Sequence, residues 1–192
     1  MSQQPTNHPD LVYVSFSAEI NPLTTEGLLG VCCDLATKGT KIIYLLLSTP
    51  GGSVMHGITV FNVLRALPTK IVTHNVGVVN SIGNVVFLAG EERYANPGTT
   101  FMFHGVGFDV QQIRLEEKNL RELNESLKAD QGKIGGIIKS RARFSDDTEV
   151  GNLFLEAATR DTAFAQDRGI IHDVREAKVP NGAPIVQLVF KR

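Results

Sequence analysis

Three separated features of the sequence could together support nucleophilic catalysis. Ser81 lies at the turn from a predicted strand to a predicted helix, Pro50-Gly51-Gly52 lies at the same kind of turn one strand earlier, and His104 follows a later strand. A serine attacks a carbonyl only when a base removes its proton and fixed donors stabilise the oxyanion. We therefore predict Ser81 as nucleophile and His104 as base, with the N–H groups of Gly52 and Ile82 as the oxyanion donors.

Each of these features also has a purely structural explanation. Ser81 could cap a helix, Pro50-Gly51-Gly52 could be an ordinary turn, and His104 could be a buried histidine with satisfied hydrogen bonds. In an open parallel sheet, however, successive strand-to-helix turns meet at the carboxyl edge, where such folds bind ligands. The gathering of all three features at one edge favours the catalytic interpretation.

The elements that must position these residues alternate between strands and helices, which predicts an α/β fold of repeated β-α units with a mostly parallel sheet. The predicted strands cover residues 11–16, 41–47, 70–79, 94–95, 100–103, 170–174 and 185–190. The predicted helices run from Thr24 or Thr25 to Ala36, from Ser53 to just before Pro68, and over residues 81–89, about 149–155 and 162–168.

A long charged segment stands apart from this alternation. Residues 110–143 place Ile113, Leu120, Leu123 and Leu127 on one side and interspersed charges on the other, which predicts a protruding amphipathic helix. We expect the glycines of residues 132–136 to interrupt it.

Composition limits the number of domains and the classes of partner. The chain has 192 residues, 42% of them hydrophobic and 20% charged, which suits one domain over residues 11–192 after a flexible tail of residues 1–10. With 19 Lys and Arg against 20 Asp and Glu, no net field would draw the protein to nucleic acid or a membrane surface.

The start of the chain lacks the apolar stretch of a signal peptide, and polar residues interrupt the uncharged run of residues 71–90, which we interpret as a buried strand and helix. We expect a cytoplasmic protein in which the adjacent Cys32 and Cys33 are reduced packing residues. The histidines other than His104 lack ligand spacing, and no phosphate-binding P-loop is present, so we expect no metal and no cofactor.

A family resemblance adds to this interpretation. Residues 48–90, STPGGSVMHGITVFNVLRALPTKIVTHNVGVVNSIGNVVFLAG, and residues 94–105, YANPGTTFMFHG, resemble the active-site half of the Clp protease proteolytic subunit (ClpP) family, which has the ClpP/crotonase-like fold. The resemblance places an oxyanion donor at Gly52, the nucleophile at Ser81 and the base at His104. It also implies that the helix over residues 110–143 is a handle through which homo-oligomeric, heptameric rings stack into a closed barrel.

Departures from the family concern the third member of the catalytic triad and the partners. Without gaps the triad acid falls on Ala157; a shortened alignment brings in Asp161, which we favour as a helix cap, and Glu156 is a further candidate. The family's Gln-Pro after the histidine is here Gly105-Val106-Gly107. The resemblance allows an ATP-driven unfoldase as partner, but the short segment before Leu11 argues against that coupling.

These observations lead to three hypotheses. The leading one is a serine-type endopeptidase that hydrolyses peptides or unfolded proteins inside a self-compartmentalised oligomer. The second is a weak or inactive ring subunit with a structural or regulatory role, which an alanine in the acid position would permit. The third is a crotonase-like enzyme acting on an acyl thioester, against which the pairing of Ser81 with His104 argues.

Overall fold

The computed structural model describes residues 8–107 and 116–190. Its strands are β1 (Leu11–Ser17), β2 (Ile42–Thr49), β3 (Lys70–Asn80), β4 (Glu92–Ala95), β5 (Thr100–Met102), β6 (Thr159–Arg160), β7 (Asp173–Val174) and β8 (Ile185–Gln187). Its helices are α1 (Pro22–Thr37), α2 (Val54–Ala66), α3 (Gly83–Phe87), α4 (Glu117–Arg141), α5 (Asp147–Glu156) and α6 (Thr162–Asp167).

The strands form one sheet in the order β6-β5-β3-β2-β1-β8, and β4 pairs with both β3 and β7. The pairing of β5 with β6 is antiparallel, and the other pairs are parallel. The predicted α/β architecture with a mostly parallel sheet is therefore confirmed. The long strand β3 pairs with β4 along its first half and with β5 along its second half, so its carboxyl end adjoins β5.

The core lies between this sheet and its covering helices. Side chains of β2 alternate between full and partial burial, α1 buries Leu28 and Cys32, and every residue of the short α3 is buried. A helix buried on all sides leaves no side chain in water, where a charge would be solvated, which explains why the run that contains α3 carries no charge. No helix within the described ranges is long and apolar enough to span a membrane.

The long helix α4 differs from the prediction. It is continuous through residues 132–136, so the expected interruption is wrong. A glycine inside a helix costs only about 1 kcal/mol relative to alanine, and here the buried Ile134 and Ile138 anchor this part of α4 to the core. The amino-terminal half of α4 is almost entirely exposed. Residues 110–115 of the predicted handle, like residues 1–7 of the predicted tail, lie outside the described residues.

Several predicted boundaries also need correction. Helix α1 begins at Pro22 rather than after Thr24, because Asn21 caps it: the Asn21 side chain accepts from the Thr24 N–H at 3.0 Å, and the Thr24 hydroxyl accepts from the Asn21 N–H at 3.0 Å. Strand β7 covers only the last two residues of the predicted segment 170–174, and β8 ends at Gln187 rather than Phe190.

Candidate active site

Ser81 occupies a sharp turn between β3 and α3. Its φ of 55° lies in the left-handed region, which costs a residue with a side chain about 1–2 kcal/mol. The Ser81 N–H donates to the carbonyl of Met102 in β5 at 2.8 Å, and the Ser81 carbonyl accepts from the N–H of Asn84 at 3.1 Å. The predicted helix over residues 81–89 therefore starts two residues late, at Gly83, because a left-handed residue cannot continue a right-handed helix.

The Pro50-Gly51-Gly52 turn lies against this elbow. Gly51 and Gly52 have φ values of 97° and 139°, which favour glycine. The Gly51 carbonyl accepts from the N–H of Ile20 at 2.7 Å, and the Ile20 carbonyl accepts from the N–H of Ser53 at 2.8 Å. A β-carbon on Gly52 would lie 2.2 Å from the Ile20 carbonyl oxygen. The turn is thus fixed between the residues after β1 and the Ser81 elbow.

Gly52 and Ile82 lie beside Ser81, and each carries a backbone N–H group. Within the described ranges, the N–H groups of Gly52 and Ile82 donate to no protein acceptor. Both residues line the same cavity as Ser81. Unpaired N–H groups beside a nucleophile are the arrangement that can stabilise an oxyanion.

His104 comes two residues after β5 and is exposed. Its Nδ1 lies 2.7 Å from the carbonyl oxygen of Gly105. Because a carbonyl oxygen only accepts, the chemistry assigns the ring proton to Nδ1 and leaves the lone pair on Nε2, as a general base requires. Among the described residues, no hydrogen bond joins His104 to the hydroxyl of Ser81.

All four predicted residues line one cavity of about 110 Å³: Gly52, Ser81, Ile82 and His104. Its remaining wall is largely apolar, with side chains from α2, α4 and α5 (Val54, Ile134, Ile138 and Phe154). Apolar walls around a few convergent polar groups are typical of a ligand site. Among the described residues, no group of three or more His, Cys, Asp or Glu side chains could hold a metal ion.

Comparison with known proteins decides the family. Residues 14–176, most of the chain, match the family model described as Clp protease. The chain belongs to the Clp protease family. The resemblance inferred from the sequence is therefore confirmed.

Curated relatives of this Clp family chain carry the name ATP-dependent Clp protease proteolytic subunit. Subunit 2 of Prochlorococcus marinus is 30% identical over 142 residues, which cover 70% of this chain and 67% of the relative. Subunit 1 of Corynebacterium jeikeium is 28% identical, with 66% of this chain and 78% of the relative covered. Subunit 1 of Leifsonia xyli is 29% identical over 98 residues, and this match spans only half of the relative's length (50%).

The fold is shared with solved structures. ClpP1 from Listeria monocytogenes superimposes with a TM-score of 0.74 at 21% sequence identity, over 86% of this chain and 92% of that one. The ClpP/crotonase-like fold predicted for this Clp family chain is therefore confirmed.

The two carboxylates considered as third triad member in this Clp family chain make other contacts. Asp161 Oδ1 accepts from the N–H of Phe164 at 2.9 Å and caps α6. The Glu156 carboxylate forms an ion pair with Arg160. Among the described residues, no hydrogen bond or ion pair joins either carboxylate to His104, whose Nδ1 lies 2.7 Å from the Gly105 carbonyl oxygen.

Ala157, at the position where the resemblance places the acid, adopts a left-handed conformation with a φ of 47°. The next strand, β6, pairs antiparallel with β5, matching Met102 with Thr159. The Ala158 carbonyl accepts a long 3.5 Å hydrogen bond from the N–H of Phe103. The segment that contains Ala157 thus lies alongside the strand that leads to His104.

One residue that supports the site from behind Ser81 was missed from the sequence. Asn84 is only 1% exposed, and its Nδ2 donates to the Ser81 carbonyl at 3.0 Å and to the Met102 carbonyl at 2.9 Å. A signal was available, because Asn84 is a polar residue inside an otherwise apolar run of buried helix, where an unpaired amide would be costly. Its partners, however, are backbone groups that only the tertiary fold brings near.

Proposed function

We propose that this chain is a serine-type endopeptidase that hydrolyses peptides or unfolded proteins. One observation carries the proposal: Ser81 sits on a left-handed elbow, in a cavity that Gly52, Ile82 and His104 also line, and the N–H groups of Gly52 and Ile82 have no acceptor among the described residues. The family membership supports a protease, and this arrangement supports the serine type.

The proposed reaction has two stages. The Ser81 hydroxyl attacks the peptide carbonyl while His104 Nε2 takes its proton, and the two N–H groups stabilise the oxyanion. The tetrahedral intermediate collapses as the C–N bond breaks, and the imidazolium of His104 returns the proton to the leaving amine. Water then attacks the acyl ester with His104 again as base, which releases the acid and regenerates Ser81.

The setting of this reaction is also part of the proposal. We infer homo-oligomeric rings that enclose the cavity, because the relatives are named as subunits of a protease. The names of those relatives include the word ATP-dependent, which supports an ATP-driven unfoldase as partner. Free Cys32 and Cys33 thiols suit the cytoplasm.

Labelling with a fluorophosphonate probe tests whether Ser81 is activated. We expect the native protein to incorporate one probe per chain at Ser81, and Ser81→Ala to abolish incorporation. Ser53→Ala is a matched control, because the Ser53 hydroxyl lies 2.8 Å from Nδ1 of His56 and forms a second serine-histidine pair. Labelling that persists in Ser81→Ala and disappears in Ser53→Ala would contradict the proposal.

A catalytically silent subunit is the second candidate, and the surroundings of His104 favour it. Within the described ranges no carboxylate contacts this ring, and losing the orienting acid of a triad can lower kcat by about 10⁴. Absence of labelling in folded, oligomeric protein would support this role over a peptidase.

A further inference from the structure

We infer that Asn84 is a positioning residue that holds the Ser81 elbow against the strand leading to His104. The inference rests on the proposed function, since it concerns the geometry of the same nucleophile and base. One Asn84 amide group bridges two carbonyls, that of Ser81 at 3.0 Å and that of Met102 at 2.9 Å.

The contacts of the amide determine its orientation. Both neighbours are carbonyl oxygens, which only accept, so the NH₂ group and not the oxygen must face them. The Asn84 Oδ1 is then buried and has no hydrogen-bond partner within the described part of the chain. A buried amide oxygen without a donor destabilises the folded state, and an apolar residue at position 84 would avoid that loss. The benefit of an asparagine must therefore come from what its NH₂ group holds.

The NH₂ group of Asn84 links the turn that carries the proposed nucleophile, Ser81, to the strand that leads to the proposed base, His104. The Met102 carbonyl accepts from Asn84 and also from the N–H of Ser81, at 2.8 Å. The Ser81 carbonyl accepts from both the N–H and the side chain of Asn84. Hydrogen bonds thus hold both the N–H and the carbonyl of Ser81, whose backbone is left-handed and strained. Met102, which accepts the Ser81 N–H, lies two residues before His104.

This arrangement makes Asn84 a determinant of catalytic geometry rather than of ligand binding. It does not line the cavity, so its loss should leave reversible binding of a ligand unchanged. A displacement of about 1 Å at a reacting group can lower a rate by as much as about 100-fold. We expect Asn84→Ala to lower the maximal rate of probe attachment to Ser81 between about 10-fold and 100-fold, without weakening reversible probe binding.

A matched control separates positioning from lost stability. Asn75 is also buried, and its Nδ2 donates to the carbonyl of Thr100 in the same strand β5 at 3.0 Å, away from the elbow. Asn75→Ala should therefore destabilise the protein while leaving the labelling rate of the folded fraction close to that of the unmodified chain. Asn84→Asp should slow labelling at least as much as Asn84→Ala, because a carboxylate would face two carbonyl oxygens.

Hydrogen exchange supplies a readout that needs no activity. The Ser81 N–H should exchange about 10-fold faster in Asn84→Ala than in the unmodified protein, and should keep its protection in Asn75→Ala. If the unmodified protein fails to label, the proposed function falls while the exchange comparison still decides the role of Asn84. Unchanged exchange at Ser81 in Asn84→Ala overturns the inference whatever the labelling result.

Discussion

Gly51 and Ser81 lie so close together that a β-carbon on Gly51 would come within 2.8 Å of the Ser81 β-carbon. Real β-carbons do not approach one another this closely, so the elbow at Ser81 and the Pro50-Gly51-Gly52 turn are built around each other. Because Gly51 also has a φ of 97°, both its backbone conformation and its missing side chain are required.

Substituting Gly51 by alanine should therefore displace Ser81. We expect Gly51→Ala to lower the free energy of unfolding by about 1–3 kcal/mol and to slow fluorophosphonate labelling by at least about 10-fold in the protein that remains folded. Urea unfolding and labelling kinetics measure the two effects.

The control for this substitution is Gly30→Ala in the exposed part of α1, where a β-carbon would meet nothing within 4 Å. It should stabilise the protein by up to about 1 kcal/mol, since alanine is the better helix former, and should leave labelling unchanged. Equal effects of the two substitutions would contradict the close contact at the elbow.

An acid introduced at position 157 should strengthen the proposed base. Ala157 holds a left-handed conformation, which aspartate and asparagine tolerate better than alanine, so Ala157→Asp should fold without added strain. A carboxylate beside the strand leading to His104 could orient the ring and stabilise the imidazolium. We expect labelling of Ser81 to accelerate by at least about 10-fold, measured as a second-order rate constant.

Ala157→Asn separates the charge from the backbone effect. It should match the stability of Ala157→Asp but gain less in labelling rate, because its side chain is neutral. If neither substitution accelerates labelling, a side chain at position 157 cannot act as the triad acid for His104.

Acid sensitivity should come partly from His74, which is fully buried. Its Nδ1 lies 2.7 Å from the Tyr44 hydroxyl, and its Nε2 lies 3.0 Å from the Arg175 carbonyl. Burial lowers the pKa of His74, so the folded protein keeps the ring neutral while the unfolded chain binds a proton below about pH 6.5. The unfolded state then holds more protons, so the free energy of unfolding must fall as the pH falls below this value.

His74→Gln should therefore lose less stability than the unmodified protein between pH 7.5 and pH 5.5, as measured by urea unfolding at each pH. Partial desolvation and the nearby Arg93 also lower the pKa of His172, which is more exposed than His74, so His172→Gln should reduce the remaining pH dependence by a smaller amount. If the free energy of unfolding of His74→Gln depended on pH as steeply as that of the unmodified protein, the His74 ring would not have a different pKa in the folded and unfolded states.

Arg93 should be among the most sensitive positions for stability. Its buried guanidinium donates to the carbonyls of Gly90, Arg141, Gly169 and Ile170, which joins β4 to the end of α4 and to the segment after α6. Burial lowers the pKa of Arg93 to about 10. Because an ammonium cannot reproduce this fork of donors, Arg93→Lys should lower the free energy of unfolding by about 2–4 kcal/mol.

An exposed arginine provides the comparison. Arg121 forms an ion pair with Glu117 on the surface of α4, and Arg121→Lys should change the free energy of unfolding by less than about 0.5 kcal/mol. Similar losses for the two substitutions in urea unfolding would contradict the role assigned to Arg93.

The long strands and the common edge of the sheet could be predicted from the sequence, because continuous apolar runs such as KIIYLLL indicate strands buried on both faces. The two-residue strand β6 was not predicted, and β7 and β8 are shorter than predicted. That edge was enough to bring Ser81, Ile82, Gly52 and His104 to one cavity in prediction and in structure. The backbone of Ser81 could not be anticipated, since its left-handed conformation depends on the Met102 carbonyl of a strand that follows later in the chain.

The continuity of α4 and the role of Asp161 each depended on two opposing effects whose relative strength a sequence pattern does not give. The glycines of α4 suggested a break, yet the packing of Ile134 and Ile138 keeps the helix continuous. Asp161 suited both a helix cap and a triad acid, and the structure places it at the cap, where its carboxylate accepts the N–H of Phe164. Local chemistry allowed both roles, and the contact of the carboxylate in the folded chain distinguishes them.

Cleavage of an unfolded protein shows whether Ser81 is the nucleophile of a peptidase. Reduced, unfolded casein is incubated with the assembled protein and with Ser81→Ala, and newly formed amino termini are counted by mass spectrometry. We expect new termini with the unmodified chain and none above background with Ser81→Ala. Termini that form equally with both, or with neither, would contradict a peptidase in which Ser81 is the nucleophile.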